Sequence, residues 1–269
     1  MSEFIEKWLN AVEEKDSILC VGDDPAVHGQ RPKNTIPEDM DRVEFSLNLI
    51  DEVAPYAAAM KPNRQYLIGL PLEDTQTIVK AIHSAGMVAV IDHKATDIRD
   101  TNDSTFYWAG QEGFDAITYC PFPGNVEEAG KAAHEHGMGL IVLALMSNPE
   151  FVTMKNARFA NGTTGGSLPG YQFFAQQAAQ FGDAIVVGAP SEKNHVTLDE
   201  VKLAHQYGGD GMVLCPGIGA QGGLEKSIVQ QWGDKSMLNV GRAIMYADKP
   251  GPAAKAYQLR FNDVRRIAD

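Results

Sequence analysis

The chain has 269 residues and carries a net charge of −12, from 23 basic and 35 acidic side chains. Bulk acidity of this size argues against binding nucleic acid or anionic membranes through net charge, though not against a local anion site. The length suits a single α/β barrel, for which roughly 250 residues is typical, and is enough to bury a core without staples. In chain order, apolar runs fall at 18–22, 57–61, 88–92, 116–120, 140–144, 184–188, 211–215 and 237–241, each capped by Gly, Pro, Asp or Ser. Helix-like segments lie between them, among them 40–53, 74–85, 126–136, 170–181 and 198–207. Near-continuous apolar strands alternating with helices signal a parallel sheet covered on both faces. Eight such units in this length predict a closed (β/α)8 TIM barrel and not an open doubly wound sheet. No linker or composition break divides the chain, so residues 1–269 read as one domain.

Two connections are longer than the rest. Residues 24–35, with Pro25, Gly29 and Pro32, read as a loop, and 148–169 reads as a long structureless segment rich in Gly and Thr. A loop of that length in a compact barrel suits a lid over a ligand. Both follow a strand, which puts them at the C-terminal face where barrel active sites lie. Cys20, Cys120 and Cys215 are odd in number and dispersed, which implies reduced, buried thiols and a reducing, cytoplasmic compartment. The segment Met1-Ser2-Glu3-Phe4-Ile5-Glu6 has no basic or apolar signal region, and no apolar run reaches membrane-spanning length.

The run Ile91-Asp92-His93-Lys94-Ala95-Thr96-Asp97 ends the third apolar segment with acid, base and acid. Alternate strand residues share a face, so Asp92 and Lys94 point one way and His93 the other. Isolated buried charge is prohibitively costly, so these groups must be paired or used. The other polar residues at strand ends are Asp23 and Asp24, Lys61, Ser147, the stretch 216–223 beginning Pro216-Gly217, and Gly241-Arg242. An alternating array of this kind holds each lysine protonated and leaves a carboxylate facing the substrate. The 216–223 stretch is nearly free of side chains, so its backbone N–H groups can approach an anion. Arg242, one strand later, adds a guanidinium suited to gripping phosphate. Loops after the seventh and eighth strands are the usual phosphate site of such barrels.

Asp92-x-Lys94-x-x-Asp97-Ile98, preceded by Lys61-Pro62-Asn63, resembles the orotidine 5′-phosphate decarboxylase family. The likeness continues through Leu19–Pro25, Ser147-Asn148-Pro149, residues 216–223 and Val240-Gly241-Arg242, in the family's order, from about Leu19 to Pro250. It implies a carboxy-lyase converting orotidine 5′-monophosphate to uridine 5′-monophosphate, the last step of de novo pyrimidine synthesis, with no cofactor and no metal. By the resemblance, Asp24 and Lys61 bind ribose hydroxyls, Lys61 orders Asp92, Asp92 lies near the substrate carboxylate, and Lys94 protonates C6. Asp97, with Thr101 beside it, reaches the neighbouring subunit's site, which implies a homodimer with shared sites. Ser147 bonds the pyrimidine edge, Gln221 bridges base and phosphate, Gly241 and Arg242 hold the 5′-phosphate, and Pro216 is a further substrate-binding residue. Two departures stand out: Asp23 where the family has an apolar residue before the ribose-binding aspartate, and Asp100 before Thr101.

Three rival readings meet specific objections. Flanking carboxylates favour a charged Lys94 over the neutral amine that Schiff-base chemistry needs. The Mg²⁺-dependent sugar-phosphate relatives offer a glutamate where this chain has Lys61, which would repel the ion. A non-catalytic phosphate-binding relic would have lost charged positions that are intact here. His134 and His136 read as surface residues and the ten methionines as core filling.

Overall fold

In the computed structural model, residues 2–161, 165–218 and 224–268 are described. The strands are β1 Leu19–Asp23, β2 Ala59–Pro62, β3 Val88–Ala95, β4 Ala116–Tyr119, β5 Gly139–Leu145, β6 Arg158–Asn161, β7 Gly166–Pro169, β8 Ala184–Val187, β9 Met212–Cys215 and β10 Ser236–Val240. Eight of them close a parallel barrel in the order β1-β10-β9-β8-β5-β4-β3-β2, while β6 and β7 form a separate antiparallel hairpin. Each barrel strand matches a predicted apolar run to within a few residues, and helices follow as expected, including Arg42–Val53, Leu72–Ser84, Val126–Glu135, Gly170–Phe181 and Leu198–Gly208. The strands are buried almost throughout because their inner faces fill the barrel and their outer faces meet helices.

The helix Glu3–Lys15 plugs the N-terminal end of the barrel. Phe4, Ile5 and Trp8 are buried there, and the Trp8 indole N–H donates to the Asp234 carbonyl at 2.7 Å. The plug fits because Gly139 opens β5 without a side chain: a Cβ there would stand 2.5 Å from the Phe4 ring. Two aspartates at the same end repeat one device. Asp115 precedes β4 and accepts the Ala89 N–H and the His83 ring, each at 2.8 Å. Asp183 precedes β8 and accepts the Leu140 N–H and the His134 ring, also at 2.8 Å each. Burial opposes the charge on both carboxylates, but these donors outweigh it and hold their pKa values below the usual range. His134 is the exposed surface residue that the sequence suggests, its ring serving as a clasp on Asp183. His136 likewise pairs with Asp103 at 2.9 Å.

The 148–169 segment also departs from expectation. It contains the helix Phe151–Asn156 and the β6–β7 hairpin, so it is not a structureless loop. Buried Lys155 anchors it to the segment after β8, donating to Glu200 at 2.6 Å and to the His195 carbonyl at 2.8 Å. Local spacing concealed this, because the partners lie about forty residues away. Of the free cysteines, Cys20 and Cys215 are buried and Cys120 is only half-buried.

Candidate active site

At the C-terminal mouth, Lys61, Asp92, Lys94, Thr118, Ser147 and Pro216 line a cavity of about 260 Å³, walled on the apolar side by Leu143, Met146, Val186 and Leu214. Lys61 donates to Asp92 Oδ2 and Lys94 to Asp92 Oδ1, both at 2.5 Å. The predicted sharing of a face by Asp92 and Lys94 holds, with His93 turned the other way to accept from Arg64 Nε at 3.3 Å. Behind His93, the Arg64 guanidinium grips the Glu112 carboxylate with both arms.

Electrostatics follow from this geometry. Burial disfavours charge on Lys61, but Asp92 overrides it and raises the ammonium's pKa above its ordinary value. Burial likewise opposes charge on Asp92, and the two lysines overcome it, driving its pKa well below the usual carboxylate range. The site therefore holds two cations around one fixed anion. His93 moves the opposite way: burial, then Arg64, lower its pKa and favour the neutral ring.

The backbone at this point is irregular. Lys94 sits at φ +54, in the left-handed region, where a non-glycine residue costs roughly 1–3 kcal/mol. The β3–β4 register explains the position: Ile91 faces Ile117 and Ala95 faces Tyr119, so Asp92, His93 and Lys94 bulge opposite Thr118 alone. Bulges beside active sites re-aim side chains in this way. Thr118, which the sequence reading passed over, donates to Asp92 Oδ1 at 3.0 Å and accepts the Lys94 N–H at 2.9 Å. A usable signal was present: a hydroxyl residue inside the apolar run Ala116-Ile117-Thr118-Tyr119, next to the charged strand.

Asp23 and Asp24 have different surroundings. Asp23 is fully buried and turned to the helix layer, where Ser46 donates to its Oδ2 at 2.7 Å. Its Oδ1 has no partner among the described residues. Burial above all, with Asp24 adding repulsion and Ser46 opposing, pushes its pKa up to about 7. Asp24 is half-buried, and its negative charge helps keep Lys61 protonated. Its carbonyl accepts from Arg31 at 3.0 Å, and the Arg31 guanidinium lies over both the Tyr66 and Tyr246 rings.

The remaining expected residues divide. Ser147 borders the cavity, and Gly188 makes room for it, since a Cβ there would stand 2.6 Å from that of Ser147. Gly241 and exposed Arg242 follow β10, and Arg242 forms no ion pair among the described residues. Gln221 lies outside the described residues, as does most of the glycine-rich stretch. Asp97 does not join Lys94 within the chain: it is exposed, and its Oδ1 accepts the Ile98 N–H at 2.8 Å. Thr101, also exposed, lies in the first turn of the helix Arg99–Glu112 that follows. Among the described residues, no cluster of three or more His, Cys, Asp or Glu side chains could hold a metal ion, and no helix is long and apolar enough to cross a membrane.

A closed (β/α)8 barrel with a Lys-Asp-Lys array at its C-terminal mouth defines the class, a TIM-barrel enzyme. The chain belongs to the orotidine 5′-phosphate decarboxylase / HUMPS family, whose model matches residues 36–257. It is similar to orotidine 5′-phosphate decarboxylases of Cupriavidus metallidurans, 30% identical with 91% of this chain and 90% of the relative covered, and of Polaromonas naphthalenivorans, 30% identical with 98% and 96% covered. Among solved structures, Leishmania donovani OMP decarboxylase superposes with a TM-score of 0.77 at 24% identity, covering 99% of both chains. That last likeness speaks to the fold.

Proposed function

We propose that this chain decarboxylates orotidine 5′-monophosphate to uridine 5′-monophosphate, the last step of de novo pyrimidine nucleotide synthesis. The observation that carries the reading is the Lys61–Asp92–Lys94 array at 2.5 Å spacings on the wall of the cavity. Breaking the C6–carboxylate bond leaves an electron pair on C6 with no carbonyl placed to delocalise it as an enolate. A fixed ammonium beside that carbon stabilises the developing charge without reorganising at the moment of reaction. Lys94 then donates its proton to C6, carbon dioxide leaves, and solvent restores the ammonium. Asp92, held ionised by its two lysines, stands against the substrate carboxylate and keeps Lys94 aimed.

Asp24 and Lys61 bind the ribose hydroxyls, Ser147 the pyrimidine edge, and Gly241 with Arg242 the 5′-phosphate, assisted by Gln221. Pro216 lines the same cavity. Binding energy gathered at the phosphate, remote from C6, is available to the transition state. The family also includes the HUMPS branch, and the rival reading is a metal-dependent sugar-phosphate enzyme with an acid at the position of Lys61. A buried cation at that position favours decarboxylation without metal.

Asp97 and Thr101 complete the site of a second subunit in a homodimer. Exposed Ile68, Ile98 and Phe122, in the loops after β2, β3 and β4, support a subunit contact on that side of the mouth. The three free thiols and the net charge of −12 fit a cytoplasmic enzyme of small metabolites with no nucleic-acid partner. The test is ultraviolet absorbance of orotidine 5′-monophosphate mixed with purified protein, with and without EDTA. Conversion to uridine 5′-monophosphate in both arms is the expected result. No conversion rejects the function, and conversion that is lost in EDTA and restored by Mg²⁺ moves the chain to the metal-dependent reading.

A further inference from the structure

We propose that Thr118 is a positioning residue of this site, its hydroxyl holding Lys94 and Asp92 in mutual register for proton transfer to C6. The inference rests on the reading of Lys94 as the proton donor. Three residues of β3 bulge opposite Thr118, so the Lys94 amide has no strand carbonyl to bond and turns to the Thr118 Oγ1 at 2.9 Å. The same oxygen stands 3.0 Å from Asp92 Oδ1. An amide only donates and an ionised carboxylate only accepts, so the hydroxyl's orientation is forced: it accepts from Lys94 and donates to Asp92.

One group thus ties down both ends of the Lys94 side chain. It fixes the main chain at φ +54, and it fixes the carboxylate oxygen that receives the Lys94 ammonium at 2.5 Å. Lys61 secures the other oxygen of Asp92, leaving that carboxylate little freedom to turn. Thr118 is buried yet borders the cavity, so its hydroxyl acts within the dry part of the site. There, a displacement of about 1 Å in a reacting group can cost on the order of a hundredfold in rate.

Valine matches threonine in shape and strand preference, so Thr118→Val removes the hydroxyl while β4 keeps its pairing with β5 at Ile141. Three readouts on folded protein test the proposal: kcat and KM for orotidine 5′-monophosphate, the Kd of uridine 5′-monophosphate, and exchange of the product's C6 hydrogen with deuterium from D2O. The exchange reports Lys94 alone, because donation to C6 runs equally in reverse. Thr118→Val is expected to lower kcat by about 10- to 100-fold and slow exchange in parallel, with KM and Kd changed less than about threefold. Thr118→Ser, which keeps the hydroxyl, is expected to restore most of both rates.

A Thr118→Val enzyme within about twofold of wild type in kcat overturns the proposal. So does a loss confined to KM, or a Thr118→Ser enzyme as impaired as the valine variant. If the valine variant does not fold, Thr118→Ala against Thr118→Ser decides by the same readouts. Wild type that decarboxylates beside an unaffected variant overturns the Thr118 role alone, and wild type that never decarboxylates removes the function and this role together.

Discussion

Replacing Asp23 with Asn should change stability in a strongly pH-dependent way. The carboxyl is fully buried, bonded to Ser46 through one oxygen and unpartnered at the other. Burial is the main cause that lifts its pKa from 3.8 to about 7 in the folded protein. Because the folded value lies above the unfolded one, the carboxyl favours folding least when ionised. The penalty is absent below the unfolded pKa, grows as pH rises, and is complete above about 7. A shift of roughly three units corresponds to about 4 kcal/mol at full ionisation, of which roughly 1.5 kcal/mol is already felt near pH 5.

Asn carries no such charge. Its amide nitrogen would occupy the place of the unpartnered oxygen, at a cost of about 1–3 kcal/mol that does not vary with pH. The difference between two pH values therefore isolates the ionisation. Relative to wild type, Asp23→Asn should gain ~3 kcal/mol between about pH 5 and about pH 8.5, or roughly 5–10 °C in Tm for a chain of this size. Urea or thermal unfolding of both proteins at the two pH values measures it, with titrations common to both cancelling. A mutational change equal at the two pH values to within about 0.5 kcal/mol would refute the argument, because Asp23 would then not be ionising inside the fold.

Lys94→Ala should lower kcat by several orders of magnitude while leaving binding of uridine 5′-monophosphate partly intact; steady-state rates and product titration check it, and a loss of only about tenfold would assign the proton to another residue. Arg242→Ala should raise KM strongly for the nucleotide yet leave a phosphate-free nucleoside equally poor with either enzyme. Harm to both substrates alike would make Arg242 structural. Mixing inactive Lys94→Ala chains with inactive Asp97→Ala chains should restore roughly a quarter of wild-type activity, since about half of randomly exchanged dimers are mixed and each holds one intact site. No recovery after demonstrated exchange and dimerisation by size exclusion would end the shared-site reading.

The sequence by itself determined the barrel. Eight apolar runs are buried on both faces, and that requirement writes a signal into nearest-neighbour composition that needs no partner information. It also determined the Lys61, Asp92 and Lys94 constellation, because charge at the end of an apolar strand is improbable without a use. Period-two alternation was enough to separate Asp92 and Lys94 from His93.

Tertiary structure alone decided what depends on a partner distant in the chain. Asp23 and Asp24 are adjacent and chemically identical; only Ser46, on the helix packed outside β1, shows which one is turned from the mouth. The order within 148–169 comes from Lys155 reaching Glu200 and His195, contacts that no local pattern encodes. Thr118 looked like an ordinary strand residue until the bulge in β3 set three residues against it and left the Lys94 amide to be satisfied by its hydroxyl. Short-range periodicity records whether a residue is buried, whereas a hydrogen bond between strands depends on register, and register exists only once the strands have met.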